Sequence, residues 1–132
     1  MKHLILLNDP PYGTERSFNG LRLAYALAKS DPESEITVFL MADAVLCAKT
    51  GQKTPEGFYN IERMLHRVFT VKGRVLMCGS GMDARGLTEA EVIEGRADPP
   101  WTNWRRQHLP PTRCWFSEAG QRTQIRNEGD PR

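Results

Sequence analysis

The chain has 132 residues, a formal net charge of +2, 39% hydrophobic and 26% charged side chains, and three cysteines. That length is one domain's worth, able to bury a core without staples, and an odd number of widely spaced cysteines suits neither a disulfide framework nor a zinc site. The apolar run Leu4-Ile5-Leu6-Leu7 is too short for a signal peptide and no stretch approaches the roughly 20 apolar residues of a membrane span, so the expectation is a soluble cytoplasmic protein.

Lys2 to Leu7 is an aliphatic run ended by Asn8-Asp9-Pro10-Pro11, the pattern of a short buried strand. A helix is predicted from about Thr14-Glu15, with Thr14 as its N-cap, through Leu21, Leu23, Tyr25, Leu27 and Ala28 to the stop at Ser30-Asp31-Pro32. Ile36 to Met41 reads as the second strand, and Asp43 to Lys49 as a short helix stopped by Gly51. Phe58, Ile61, Leu65, Val68 and Phe69 recur at helical spacing before Gly73. Arg74 to Met77 supplies a third strand, and Thr88-Glu89-Ala90-Glu91 has the form of a capping box opening another short helix. Strands alternating with helices predict an α/β fold with a mainly parallel sheet and helices on both faces.

In such sheets ligands bind beyond the carboxyl ends of the strands. Those ends carry the segments 8–14, 42–43 and 78–81, so Asp9, Tyr12, Asp43 and Cys78 are expected on one rim, with Gly79, Ser80 and Gly81 giving close backbone approach. Plainer readings stand beside these. Pro10, Pro11 and Gly13 make a stiff turn, and Asp43 is the residue type that caps a helix, the reading we favour for it. Cys78 ends an apolar run and opens a glycine-rich turn into a helix. That position can expose a thiol to backbone N–H groups that stabilise the thiolate, but Cys is also among the most buried residue types.

Five segments taken together, Asp9-Pro10-Pro11-Tyr12-Gly13-Thr14-Glu15, Asn19-Gly20-Leu21-Arg22, Phe39 to Val45, Gly51 to Gly57 and Cys78 to Leu87, resemble the DsrE/DsrF-like family of small sulfur-relay-type proteins. The resemblance runs from residue 1 to about residue 96. It implies a flavodoxin-like three-layer α/β/α fold with a five-stranded, mostly parallel sheet, assembled as a homo-oligomer. It also implies sulfur carried as a persulfide on one cysteine, which falls on Cys78. Close relatives often have Cys-Gly-Thr-Cys where this chain reads Cys78-Gly79-Ser80-Gly81, so a local dithiol/disulfide cycle is disfavoured and a single-thiol carrier, with separate sulfur donor and acceptor proteins, is expected. Cys47 is expected in the core, and Cys114 lies in an anomalous tail.

The alternative is a non-catalytic oligomeric module that binds a small ligand at the rim around Asp9, Tyr12, Asp43 and Gly79. No GxGxxG or Walker pattern is present, so no nucleotide or flavin cofactor is expected, and His3, His66 and His108 form no recognisable catalytic or metal-ligating pattern.

Residues 1–96 carry 12 basic and 12 acidic side chains, whereas 97–132 carry six arginines, no lysine and four acids, all three tryptophans and five of the nine prolines. Two regions are therefore expected: an α/β domain over 1–96, with its last helix and fifth strand lost or altered, and an irregular tail over 97–132. Arginines without a basic fold are weak evidence for nucleic-acid binding, which is disfavoured. The genetic code offers another account. When each new codon takes the third base of one residue and the first two bases of the next, Trp101-Thr102 forces Asp, Asn103-Trp104 forces Leu, and Cys114-Trp115-Phe116 forces Leu-Val. With suitable codons the segment reads as a helix followed by Val-Leu-Val-Phe and a stop, the ending the fold lacks. Our hypothesis is a shifted reading frame after about residue 96. The nucleotide sequence is expected to regain Val-Leu-Val-Phe before a stop when slipped by one register, and failure of every single slip to do so refutes it.

Overall fold

Aliphatic runs too short for helices become parallel strands because each buries side chains on both sheet faces. The computed structural model describes residues 1–94 and the backbone of 115–116. Its strands are β1 (Lys2–Leu7), β2 (Glu35–Leu40), β3 (Arg74–Met77) and β4 (Trp115–Phe116), its helices α1 (Arg16–Ser30), α2 (Ile61–Thr70) and α3 (Gly79–Ala84), and 3-10 turns span Ala42–Ala48, Pro55–Gly57 and Glu89–Glu91. The four strands form one sheet in the order β3-β2-β1-β4, with every pairing parallel.

The pleat divides the strand residues between two faces. Leu7, Ile36, Val38, Leu40, Val75 and Met77 pack in one cluster with α1, α2 and the turn at Ala42–Ala48. Phe39 and Leu76 are buried on the other face, packed by Leu4, Leu6 and Met41. Each fully buried aliphatic or aromatic side chain contributes about 1.5–3 kcal/mol relative to exposure. On α1 the buried positions are Ser17, Leu21, Ala24 and Ala28, and on α2 they are Ile61, Met64, Leu65 and Val68. Both stripes have the 3.6-residue period of a helix laid on a core.

Helix α2 is fixed at both ends. Asn60 is its N-cap: the side-chain oxygen accepts from the Arg63 N–H at 3.0 Å, and the amide donates to the Gln52 carbonyl at 3.0 Å. At the other end the Gly73 N–H reaches the Val68 carbonyl at 2.9 Å and the Lys72 N–H reaches that of Phe69 at 3.0 Å. This is a Schellman closure with Lys72 in the left-handed position, at φ 62. The glycine is needed one residue later, where a β-carbon would lie 2.9 Å from the Val68 carbonyl oxygen.

Several local expectations are corrected. Helix α1 starts at Arg16 with Glu15 as N-cap and no side-chain cap bond, because Thr14 turns its hydroxyl toward the Asp9 carboxylate at 3.4 Å. Asp43 is not a cap either: Met41 takes that place, and the segment winds as a 3-10 helix. Phe58 lies outside α2 and is 67% exposed. The Thr88 box is real, with the Glu91 carboxylate accepting from the Thr88 N–H at 2.8 Å and its hydroxyl at 2.9 Å, but it closes only one 3-10 turn.

In the tail, Trp115 and Phe116 stand beside Ile5 and Leu6 in the ladder. An irregular tail was expected; over these two residues the backbone is a strand, consistent with the high strand preference of aromatic residues. The rest of the predicted tail, including the lost or altered last helix, lies outside the described residues. Among the described residues, no helix is long and apolar enough to cross a membrane.

Asn60→Ala removes the cap of α2 and leaves the Arg63 N–H and Gln52 carbonyl without that partner. Its expected cost is about 1–2 kcal/mol, read as a lower urea midpoint at unchanged slope. A loss under about 0.5 kcal/mol, the ordinary range of surface changes, would show that the cap does not hold the helix.

Candidate functional site

The register sets the site. Leu7 pairs with Leu40, and Leu40 with Met77, so three adjacent strands end at one level. The ladder continues one step into the loops: the Met41 N–H donates to the Leu7 carbonyl at 2.9 Å, and the Cys78 N–H to the Leu40 carbonyl at 3.0 Å. The loops carrying Asp9 and Tyr12, Asp43, and Cys78 thus leave the same end of the sheet. The β1 and β3 loops are separated by two strand spacings, about 10 Å.

Cys78 is the N-cap residue of α3, and its Sγ accepts from the Gly81 N–H at 3.4 Å. The residue is partly buried and touches both core clusters, while Gly79 and Ser80 beside it are exposed. Gly81 is buried. A β-carbon there would lie 3.5 Å from Cys78 Cβ, 3.6 Å from its sulfur and 3.3 Å from Val45 Cγ1. Disulfides need a Cβ separation of about 3.5–4.5 Å. The backbone therefore keeps the spacing of a dithiol turn, and only the side chain at position 81 makes the site a single thiol.

Arg85, which the sequence does not single out, ties this turn to the next loop. Arg85 donates from Nε to the Asp43 carboxylate at 2.9 Å and from Nη1 to the Gly81 carbonyl at 3.0 Å. Gly81 and Arg85 lie four apart, so the contact follows from one helical turn; the pairing with Asp43, 42 residues away, has no local signal. The ion pair is largely solvated on the Asp43 side, where the side chain is 56% exposed, and such pairs contribute about 0.2–1 kcal/mol. Its role is geometric: it fixes the peptide unit beside the sulfur.

The other rim residues belong to separate networks. The Asp9 carboxylate faces Arg16 at 3.5 Å, and its carbonyl accepts from the Ser17 hydroxyl at 2.7 Å. Tyr12 donates its hydroxyl to Gln52 Oε1 at 2.6 Å and accepts from the Ile61 N–H at 3.4 Å. Burial of the ring pushes this hydroxyl's pKa up, against the lowering effect of the Ile61 N–H. Gln52 in turn donates to the carbonyls of Cys47 and Lys49 at 2.8 and 2.7 Å. So Asp43 joins Cys78 through Arg85, whereas Asp9 and Tyr12 are engaged in holding the β1 loop. Among the described residues, no three His, Cys, Asp or Glu side chains cluster to hold a metal ion.

The comparisons identify the class. The chain belongs to the DsrE/DsrF-like family, whose profile matches residues 1–100. Protein YchN of Escherichia coli K12 is 40% identical over 94 residues, covering 71% of this chain and 80% of its own length. An uncharacterized protein of Methanocaldococcus jannaschii is 34% identical over 95 residues, covering 72% and 81%. The crystal structure of the E. coli ychN protein superposes with a TM-score of 0.71 at 35% identity, covering 78% of this chain and 87% of that one. This likeness supports the flavodoxin-like α/β class.

The two described cysteines differ in reach. Cys47 is fully buried, and desolvation pushes its thiol up to about 12, with the Ser17 side chain acting in the other direction. Burial favours the protonated thiol, so above the ordinary value of 9.0 the unfolded chain releases a proton that the folded chain keeps. Cys47's contribution to stability therefore falls as pH rises from about 9 toward 12. In native protein, iodoacetamide is expected to label Cys78 and leave Cys47 untouched until urea unfolds the chain. Peptide mapping that finds Cys47 modified as fast as Cys78 below pH 9 contradicts this assignment.

Proposed function

We propose that the protein is a single-cysteine sulfur carrier, with Cys78 accepting and donating sulfane sulfur. The observation that carries this reading is the Gly81 N–H aimed at Cys78 Sγ from 3.4 Å, on a turn opening at the carboxyl edge of the sheet. That N–H holds the sulfur at the edge of the sheet, and the thiolate is the nucleophile. Membership of the DsrE/DsrF-like family supports the same chemistry.

The reaction needs no external oxidant. The Cys78 thiolate attacks the terminal sulfur of a donor persulfide; the donor's S–S bond breaks, a new one forms on Cys78, and the donor leaves as a thiolate. An acceptor thiolate then attacks the terminal sulfur on Cys78, moving it on and restoring the Cys78 thiolate. Attack by a neighbouring thiol of the same turn would instead release the sulfur and leave a disulfide. Gly81 has no such thiol, which favours delivery to another protein.

Incubation with a low-molecular-weight persulfide, followed by intact mass and peptide mapping, is expected to add one sulfur atom (about 32 Da) on the Cys78 peptide and none in Cys78→Ser. Sulfur on Cys47 or Cys114 with Cys78 unmodified would overturn the proposal.

A further inference from the structure

The pleat gives the sheet a second buried face. Phe39 and Leu76 are 2 and 0% exposed there. Among the described residues, the apolar side chains packed on them are Leu4, Leu6, Met41 and Cys78, which come from β1 and from the residues that end β2 and β3. Helices α1 and α2, the turn at Ala42–Ala48 and Met82 of α3 all belong to the cluster on the opposite face. Leu4, Leu6 and Met41 are themselves only partly buried. Two side chains enclosed so fully, among neighbours that are half open, call for a second layer above them.

The path of the chain says where that layer comes from. β1, β2 and β3 follow one another along the sheet, and α1 and α2, which connect them, pack together on one face. β4 lies on the other side of β1, so the connection from β3 runs back past β2 and β1. Crossovers between parallel strands of one sheet are right-handed in about 98% of cases. Reversing the direction of travel while keeping the hand exchanges the face, which puts the β3–β4 connection on the side of Phe39 and Leu76. Because β4 is parallel to β1, that connection must also return the length of a strand. Its first part, with Met82, Leu87, Val92 and Ile93, stays in the other cluster, which leaves residues 95–114 to make the crossing. At about 3.3 Å per extended residue, the segment is far longer than the three strand spacings of about 4.8 Å that it has to pass.

We infer that the second sheet face is the docking surface for the chain's own segment 95–114, with Trp101 and Trp104 supplying the cover over Phe39 and Leu76. The one large aliphatic residue of that segment is Leu109, whereas a tryptophan buries about 150–250 Å², so a cover drawn from this segment depends on its two tryptophans. The family profile ends at residue 100. The side chains that close this face are therefore not those of the family pattern: a divergent, arginine-rich tail takes over the layer. The occupant is the same chain and not a second copy, because that chain returns to the sheet at Trp115, with β4 paired to β1. The docking is independent of what Cys78 carries.

The three tryptophans of the chain are Trp101, Trp104 and Trp115, so Trp115→Phe leaves a 132-residue chain whose tryptophan fluorescence reports only the proposed cover. Its emission is expected to lie to the blue of the urea-unfolded chain, with acrylamide quenching several-fold weaker and both values unchanged on dilution. In this background Leu4→Lys puts a charge on the second face and is expected to raise quenching toward the unfolded level at unchanged circular dichroism. Leu23→Lys, on the exposed side of α1, is expected to leave it as it was. Met41→Lys repeats the second-face test if Leu4→Lys disturbs the fold. Native quenching equal to that of the unfolded chain overturns the inference. So does protection lost on dilution, which assigns the cover to a second copy, or protection that both second-face variants leave intact in a folded chain.

Discussion

The common level at which β1, β2 and β3 end is the constraint on which the rest of the molecule depends. Leu7, Leu40 and Met77 are in register, and the Cys78 N–H completes the ladder to the Leu40 carbonyl. A slip of one residue would turn Val75 and Met77 out of the helical cluster and Leu76 into it, since successive side chains alternate faces. It would also carry Cys78 off the edge position from which α3 begins. Core packing and thiol placement are thus set by the same choice of register, and neither can change alone.

With the backbone placed, the loops decide the chemistry. Arg85 holds the Gly81 carbonyl, Gly81 aims its N–H at the Cys78 sulfur, and Asp43 anchors Arg85 from the neighbouring strand's loop. On the far side, Tyr12, Gln52 and Asn60 connect the β1 loop, the turn after Ala48 and the start of α2 through hydrogen bonds of 2.6–3.4 Å. These two networks tie the loops at the strand ends to their neighbours. A preorganised donor is worth more than a mobile one because its ordering cost is met on folding.

Much of this was legible in the sequence where the cause is local. The limits of β1 and β3, and the helical stripe through Ile61, Leu65 and Val68, follow from apolar runs and periodicity, and the structure reproduces them. The errors occur where a polar side chain had two partners to choose from. Thr14 and Asp43 have the residue types of N-caps, yet Thr14 turns to Asp9 and Asp43 to Arg85. Propensity ranks a cap against water, not against a guanidinium brought close by the tertiary fold. Phe58 fits the α2 period but precedes the Asn60 cap, and the cap decides where the helix starts. In the site, Cys78 and its glycine turn were readable, whereas the Asp43–Arg85 link was not, because its two halves are 42 residues apart.

The two described cysteines show how far position outweighs residue type. Cys47 sits within a turn pressed against α1 and α2, where desolvation of a thiolate outweighs the opposing Ser17 hydrogen bond, so its proton is held far above neutral pH. Cys78 stands where a strand becomes a helix, the place at which backbone N–H groups are left over and a sulfur can accept one. The missing second thiol follows the same logic. The space at Gly81 would bring a β-carbon to 3.5 Å from that of Cys78, the distance a disulfide needs, so the fold has not abandoned the dithiol geometry. The glycine in that place keeps the N–H that faces the sulfur and leaves the turn with a single thiol. Under the sulfur-carrier proposal, such a turn favours handing sulfur on over cycling it internally.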